Sequence, residues 1–132
     1  MSDLGLTHIA LPVRSLAASA AFYETYARMQ VVHRRHSVIW LSDLTRPFAI
    51  VLIETDKAVR PLLPIAHLGV AVQSQREVDR LCELARQAGC LARAPEQSGP
   101  PVGYWALLRD PDGHTLEISH GQEVRLTVEQ SV

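Results

Sequence analysis

Three residues of this sequence carry the donor types of a metal chelate. His8 lies in Thr7-His8-Ile9-Ala10-Leu11-Pro12-Val13 and His67 in Ile65-Ala66-His67-Leu68-Gly69-Val70-Ala71-Val72, and the two stretches align at a separation of 59 residues. Glu117 stands in His114-Thr115-Leu116-Glu117-Ile118-Ser119, where strand parity groups it with Thr115 and Ser119, opposite Leu116 and Ile118. Two imidazoles and one carboxylate are the minimal set for a divalent transition metal that keeps coordination positions open. A lone histidine would carry no such inference, because most are structural. An internal repeat that puts two of them on equivalent strand faces does carry it.

The elements that must position these residues follow from periodicity. After each histidine, bulky residues (Ile9, Leu11, Val13; Leu68, Val70, Val72) alternate with small ones (Ala10, Pro12; Gly69, Ala71), the pattern of a half-buried strand. The bulky face is expected to pack on a helix, and the small face to share a cavity with its histidine. A helix follows each strand. Ser15 caps the first, through about Gln30, with Phe22, Tyr23, Tyr26 and Met29 on one face; Ser74 caps the second, with Leu81, Cys82, Ala85 and Ala88 on one face and Gly89 as its stop.

Three strands are expected after the first helix, at about 31–35, 37–42 and 48–55, and three after the second, at about 91–94, 103–109 and 114–120. Asp110-Pro111-Asp112-Gly113 forms the turn before the last. The chain therefore reads βαβββ twice, an α+β fold of two modules (about 5–56 and 65–120) forming a half-open sheet around a cleft. Residues 57–64, with Pro61 and Pro64, are the linker within one domain spanning 1–132. Residues 95–101 read as a loop or pocket rim. The tail, 121–132, alternates at Val124, Leu126 and Val128, as an edge strand or a cover for a partner would.

With 47% apolar and 20% charged residues the composition is globular, and a net charge of −1 gives no electrostatic case for nucleic acid or an anionic membrane as partner. A small-molecule substrate is expected instead. Cys82 and Cys90 match neither a redox pair nor a zinc pair and read as reduced thiols. The start lacks a basic-then-apolar leader and no apolar run approaches the roughly 18 residues of a membrane span, so a cytoplasmic location is expected.

In these motifs the chain resembles the vicinal oxygen chelate superfamily, which includes glyoxalases, extradiol dioxygenases, fosfomycin-resistance thiol transferases and bleomycin-resistance proteins. The resemblance covers about residues 6–120 and rests on His8-Ile9-Ala10-Leu11-Pro12-Val13 with Phe22-Tyr23, on His67-Leu68-Gly69-Val70-Ala71-Val72, and on Asp110-Pro111-Asp112-Gly113-His114 leading to Leu116-Glu117-Ile118. It implies paired βαβββ modules, a homodimer, and a divalent ion (Fe, Mn, Ni, Co or Zn) held by His8, His67 and Glu117, with Glu117 also the catalytic carboxylate. Glyoxalase patterns add a fourth Glu or Gln ligand in the first module. Aligning residues 49–53 with 114–118 puts Leu52 there, and Glu54 would serve only if a bulge turned it inward.

The expected function is that of a metal-dependent enzyme of dioxygenase-like or lyase-like chemistry. The loop at 95–101 has no lysine, which argues against phosphonate binding. The alternative is a metal-free protein that sequesters a drug or metabolite, motivated by Phe48, Ile50 and Leu52. Leu52, Trp40, Tyr104 and Trp105 are the candidate pocket walls. His33, Arg34, Arg35 and His36 form a basic cluster on the second strand, read as a solvated edge.

Overall fold

The computed structural model describes residues 3–63 and 65–131. Pro64 of the expected linker and Val132 of the tail lie outside the described residues. The elements run β1 (His8–Val13), α1 (Leu16–Ala27), β2 (Gln30–Arg35), β3 (Val38–Ser42), β4 (Ala49–Glu54), β5 (Leu68–Ala71), α2 (Gln75–Ala88), β6 (Leu91–Ser98), β7 (Gly103–Arg109), β8 (Thr115–His120) and α3 (Val124–Glu129). They form two four-stranded mixed sheets, ordered β1-β4-β3-β2 and β5-β8-β7-β6. In each, the histidine-bearing strand pairs in parallel with the last strand of its own module, and the other pairings are antiparallel. This is the α+β fold of two βαβββ modules.

The chain divides into two compact units, Met1–Pro61 with Asp110–Asp112, and Leu62–Arg109 with Gly113–Val132. In the first, Ser15 caps α1 by accepting the Ala18 N–H at 3.2 Å. The helix ends at Ala27 rather than about Gln30, because Arg28 turns left-handed (φ 54°) and Met29 N–H bonds back to the Tyr23 carbonyl. Its buried face, Ser19, Ala20, Phe22, Tyr23, Tyr26 and Ala27, joins Leu11, Val13, Ile39, Leu41, Ile50 and Leu52 in the core. Each large side chain buried there stabilises the fold by roughly 1.5–3 kcal/mol.

Asp110–Asp112 belongs to this unit for a visible reason. Tyr23, fully buried, donates from Oη to Asp110 Oδ2 at 2.8 Å, and Asp112 accepts the Arg14 N–H at 3.1 Å. Burial, with the neighbouring Asp110 charge, holds the Tyr23 phenol far above its ordinary pKa, so it remains a donor at any physiological pH.

In the second unit Ser74 accepts the Glu77 N–H at 3.0 Å and Gly89, at φ 77°, ends α2. Val78, Leu81, Cys82 and Ala85 are its buried stripe, over Ala106, Leu108, Leu116 and Ile118. Ala88, expected on that stripe, is exposed. Two other expectations change. β6 continues through Pro95 to Ser98, because an edge strand with register shifts tolerates a residue that cannot donate. The tail forms a six-residue helix with no buried residue, held by bonds such as Thr127 N–H to Glu123 O.

Candidate functional site

The second unit brings together two of the three predicted donors. β8 is flanked by β5 and β7, with Gly69 and Leu107 opposite Glu117. Parity then divides the sheet. Ala106, Leu108, Leu116 and Ile118 face α2, while Thr115, Glu117, Ser119, Trp105, Leu107 and Arg109 share the other face. Glu117 is only 8% exposed. Burial pushes its carboxyl above the usual range, an effect that His67 opposes.

Gly69 lies beside this carboxylate, and a Cβ at that position would meet Glu117 Oε2 at 3.5 Å, an ordinary van der Waals contact. Thr115 and Ser119, the polar neighbours on the same strand face, are spent on structure. Thr115 Oγ1 donates to the Leu62 carbonyl at 2.9 Å and accepts from Arg109 at 3.0 Å, and Ser119 donates to Gln122 Oε1 at 3.3 Å.

His67 immediately precedes β5. Its Nδ1 lies 2.8 Å from the Ile65 carbonyl oxygen. A carbonyl can only accept, so Nδ1 carries a proton, and in the neutral imidazole Nε2 is then the nitrogen with the lone pair. That Nε2 is 4.0 Å from Glu117 Oε1. An imidazole whose tautomer is fixed through its far nitrogen is the usual arrangement of a metal-bound histidine.

The pair fits a divalent ion. His67 Nε2 and Glu117 Oε1, 4.0 Å apart, are an imidazole nitrogen and a carboxylate oxygen, the donor types that would hold such an ion. Among the described residues no three His, Cys, Asp or Glu side chains already stand as a formed cluster. His8, in the first unit, is exposed on β1, with Nδ1 2.9 Å from Thr7 Oγ1. The partners differ between the repeats, a side-chain hydroxyl one residue back for His8 and a backbone carbonyl two residues back for His67.

The position expected for a fourth ligand moves by one residue. Ala10 pairs with Val51 as Gly69 pairs with Glu117, so Val51, not Leu52, is the counterpart of Glu117. Leu52 is fully buried on the opposite face with Ile50, beneath α1, and is core rather than pocket wall. Glu54 shares the parity of Leu52, and the β1–β4 register runs unbroken through it, so no bulge turns it toward the His8 face. It lies exposed at the strand end near Arg34 and Glu24. Neither Val51 nor Leu52 can ligate.

Of the aromatic candidates, Tyr104 faces the helix, where its hydroxyl bonds Asp79 of α2, and so it leaves the pocket. Trp105 shares the Glu117 face, with its indole N–H on Ser98 Oγ at 3.0 Å and the Arg93 guanidinium 4.8 Å from its ring centroid. Trp40 pairs with Val51 and therefore lies on the His8 face. The Tyr23–Asp110 bond was beyond sequence reasoning, since its partners are 87 residues apart and neither sits in a pattern that announces the other.

Residues 5–118 match the model of the Glyoxalase/Bleomycin resistance protein/Dioxygenase superfamily. The uncharacterized protein PA2024 of Pseudomonas aeruginosa is 40% identical over 125 residues, covering 89% of each chain. A glyoxalase-related enzyme from Fulvimarina pelagi superposes with a TM-score of 0.69 at 26% identity, over 88% of this chain and 87% of that one. The fosfomycin resistance protein FosX from Listeria monocytogenes, solved with Mn(II) and a dihydroxypropylphosphonic acid, superposes with a TM-score of 0.74 at 20% identity, over 99% and 100%. The last likeness is one of fold.

Proposed function

This chain belongs to the Glyoxalase/Bleomycin resistance protein/Dioxygenase superfamily, and from that premise we propose that it is a metal-dependent enzyme acting on a small molecule with adjacent oxygen atoms. One observation carries the reading: His67, its tautomer fixed by the Ile65 carbonyl, aims Nε2 at the buried carboxylate of Glu117. In this proposal His67, Glu117 and His8 hold the ion. When bound, the ion supplies Lewis-acid stabilisation of negative charge on the substrate oxygens. The Mn(II) complex of FosX supports divalent metal use within this fold.

The residues of the chain do the rest. Ile65 keeps a proton on Nδ1, and Leu107, paired opposite Glu117, with Trp105 on the same face, puts apolar side chains around the carboxylate, which strengthens electrostatic interactions there. Glu117 is also the carboxylate placed to accept a proton from a bound substrate. With Val51 in place of a fourth ligand, the chemistry we favour is the three-ligand kind, dioxygenase-like or lyase-like, performed by a cytoplasmic homodimer. Of the three residues that motivate the rival reading, a metal-free drug-sequestering protein, Ile50 and Leu52 belong to the core beneath α1, and Phe48 is half-buried.

Elemental analysis of protein purified without chelator tests the proposal. About one equivalent of Fe, Mn, Ni, Co or Zn per chain, lost in His67→Ala with the fold retained, is the expected result. No metal bound, and none taken up on reconstitution, would overturn it.

A further inference from the structure

On the His8 face of the first sheet, one row of paired residues runs Ala10, Val51, Trp40, His33, and the next row places Val38 beside Arg35. His33 meets Trp40 with ring centroids 4.9 Å apart at 66°. Arg35 donates from Nε to His33 Nε2 at 3.2 Å. Guanidinium can only donate, so the imidazole accepts at Nε2 and carries its proton on Nδ1. The outcome is a fixed group of donors, the Nδ1–H of His33 and the terminal N–H groups of Arg35, beside a half-buried indole.

The second repeat offers a comparison. There Arg93 covers Trp105 from the neighbouring edge strand, but its charge is met by Glu96 at 2.7 Å. Among the described residues Arg35 makes no ion pair. In the second module the basic side chain lies over the tryptophan itself; in the first it is linked to the tryptophan through His33, and among the described residues its charge meets no carboxylate. Protection of a sheet edge requires charge alone, and the exposed Arg34 on the opposite face already supplies it. It does not require the Arg35–His33–Trp40 contacts.

We propose that Trp40, His33 and Arg35 form a substrate subsite for a planar, unsaturated group ending in a carboxylate. The indole offers a stacking surface, and the Arg35 fork matches a carboxylate in the bidentate manner. One guanidinium with one neutral imidazole carries a single positive charge, which suits a monoanion better than a phosphate dianion. Strands lie about 4.8 Å apart, so His8 and His33 are on the order of 16 Å apart along the sheet. The substrate is thus elongated, with vicinal oxygens at one end and the carboxylate at the other. This inference deepens the enzyme reading and rests on His8 facing the substrate.

The test uses metal-stripped full-length protein, so that the subsite is judged apart from the metal. Cinnamate, cinnamamide and styrylphosphonate are titrated while the Trp40 indole N–H is followed in nitrogen-proton correlation spectra, its signal assigned with Trp105→Phe. Cinnamate is expected to shift that signal saturably, with cinnamamide at least about tenfold weaker. Arg35→Gln, at an exposed edge position, should reduce cinnamate to the level of the amide. Equal binding of acid and amide, or an unchanged Arg35→Gln variant, would overturn the subsite, and tighter binding of the phosphonate would overturn the carboxylate. A failed metal analysis with Arg35-dependent cinnamate binding would overturn the metal reading alone.

Discussion

Glu117→Gln separates a carboxylate kept for chemistry from one kept for stability. The side chain is 8% exposed, its charged form is disfavoured by burial, and that cost is opposed but not removed by His67, whose Nε2 is 4.0 Å away. An ionised group so placed costs the metal-free fold free energy that a neutral side chain of equal shape does not. The relief is about 1–3 kcal/mol, which raises Tm by about 4–10 °C in a domain of this size. Added metal should act in the opposite sense. At a hundred times Kd, wild type gains about 2.7 kcal/mol, whereas a variant whose affinity has fallen hundredfold gains about 0.4 kcal/mol. Differential scanning fluorimetry of chelator-treated protein, with and without Mn(II), reads both. A metal-free Glu117→Gln variant less stable than wild type, or one stabilised equally by metal, would refute the reasoning.

Three further outcomes test the surroundings of the site. Leu52→Ala should cost about 2–5 kcal/mol in urea denaturation while leaving metal stoichiometry unchanged, since Leu52 is core; a metal defect without a stability defect would restore it to the site. Tyr23→Phe, which removes the buried donor to Asp110, should lower stability by about 1.5–3 kcal/mol, and an unchanged unfolding midpoint would contradict the role assigned to that bond. Gly103→Ala should lower the unfolding midpoint severely, because Gly103 has φ 84° and the new Cβ would lie 2.5 Å from the His120 carbonyl; a near-native midpoint would contradict that geometry.

Much of the fold was legible because local chemistry and global repeat agree. Ser15, Ser74 and Gly89 cap the helices as read, and Asp110-Pro111-Asp112-Gly113 joins two antiparallel strands. Glu117 could be assigned a face because Thr115 and Ser119 flank it on a strand whose other face is apolar. β4 gave no such guide. Ala49-Ile50-Val51-Leu52-Ile53 is apolar on both faces, so periodicity cannot fix its register, and pairing with Ala10 and Trp40 is what distinguishes Val51 from Leu52. The tail misled for a related reason. Val124, Leu126 and Val128 alternate like a strand, yet all three are exposed, and no core selects the extended form over local helical bonds.

The tautomer of His67 was invisible in sequence, since it depends on the Ile65 carbonyl approaching Nδ1. The basic cluster at residues 33–36 likewise read as uniform charge. Strand pairing divides it, with His33 beside Trp40, Arg35 on the same face beside Val38, and Arg34 on the other face.

The most direct measurement of the central claim is calorimetric titration of Co(II) into chelator-stripped protein, for wild type and for His8→Ala, His67→Ala and Glu117→Gln. One site per chain is predicted, with each substitution weakening it at least about tenfold, on the scale of lost metal contacts. Wild-type affinity in His67→Ala or Glu117→Gln, or no heat of binding in wild type, would contradict the account.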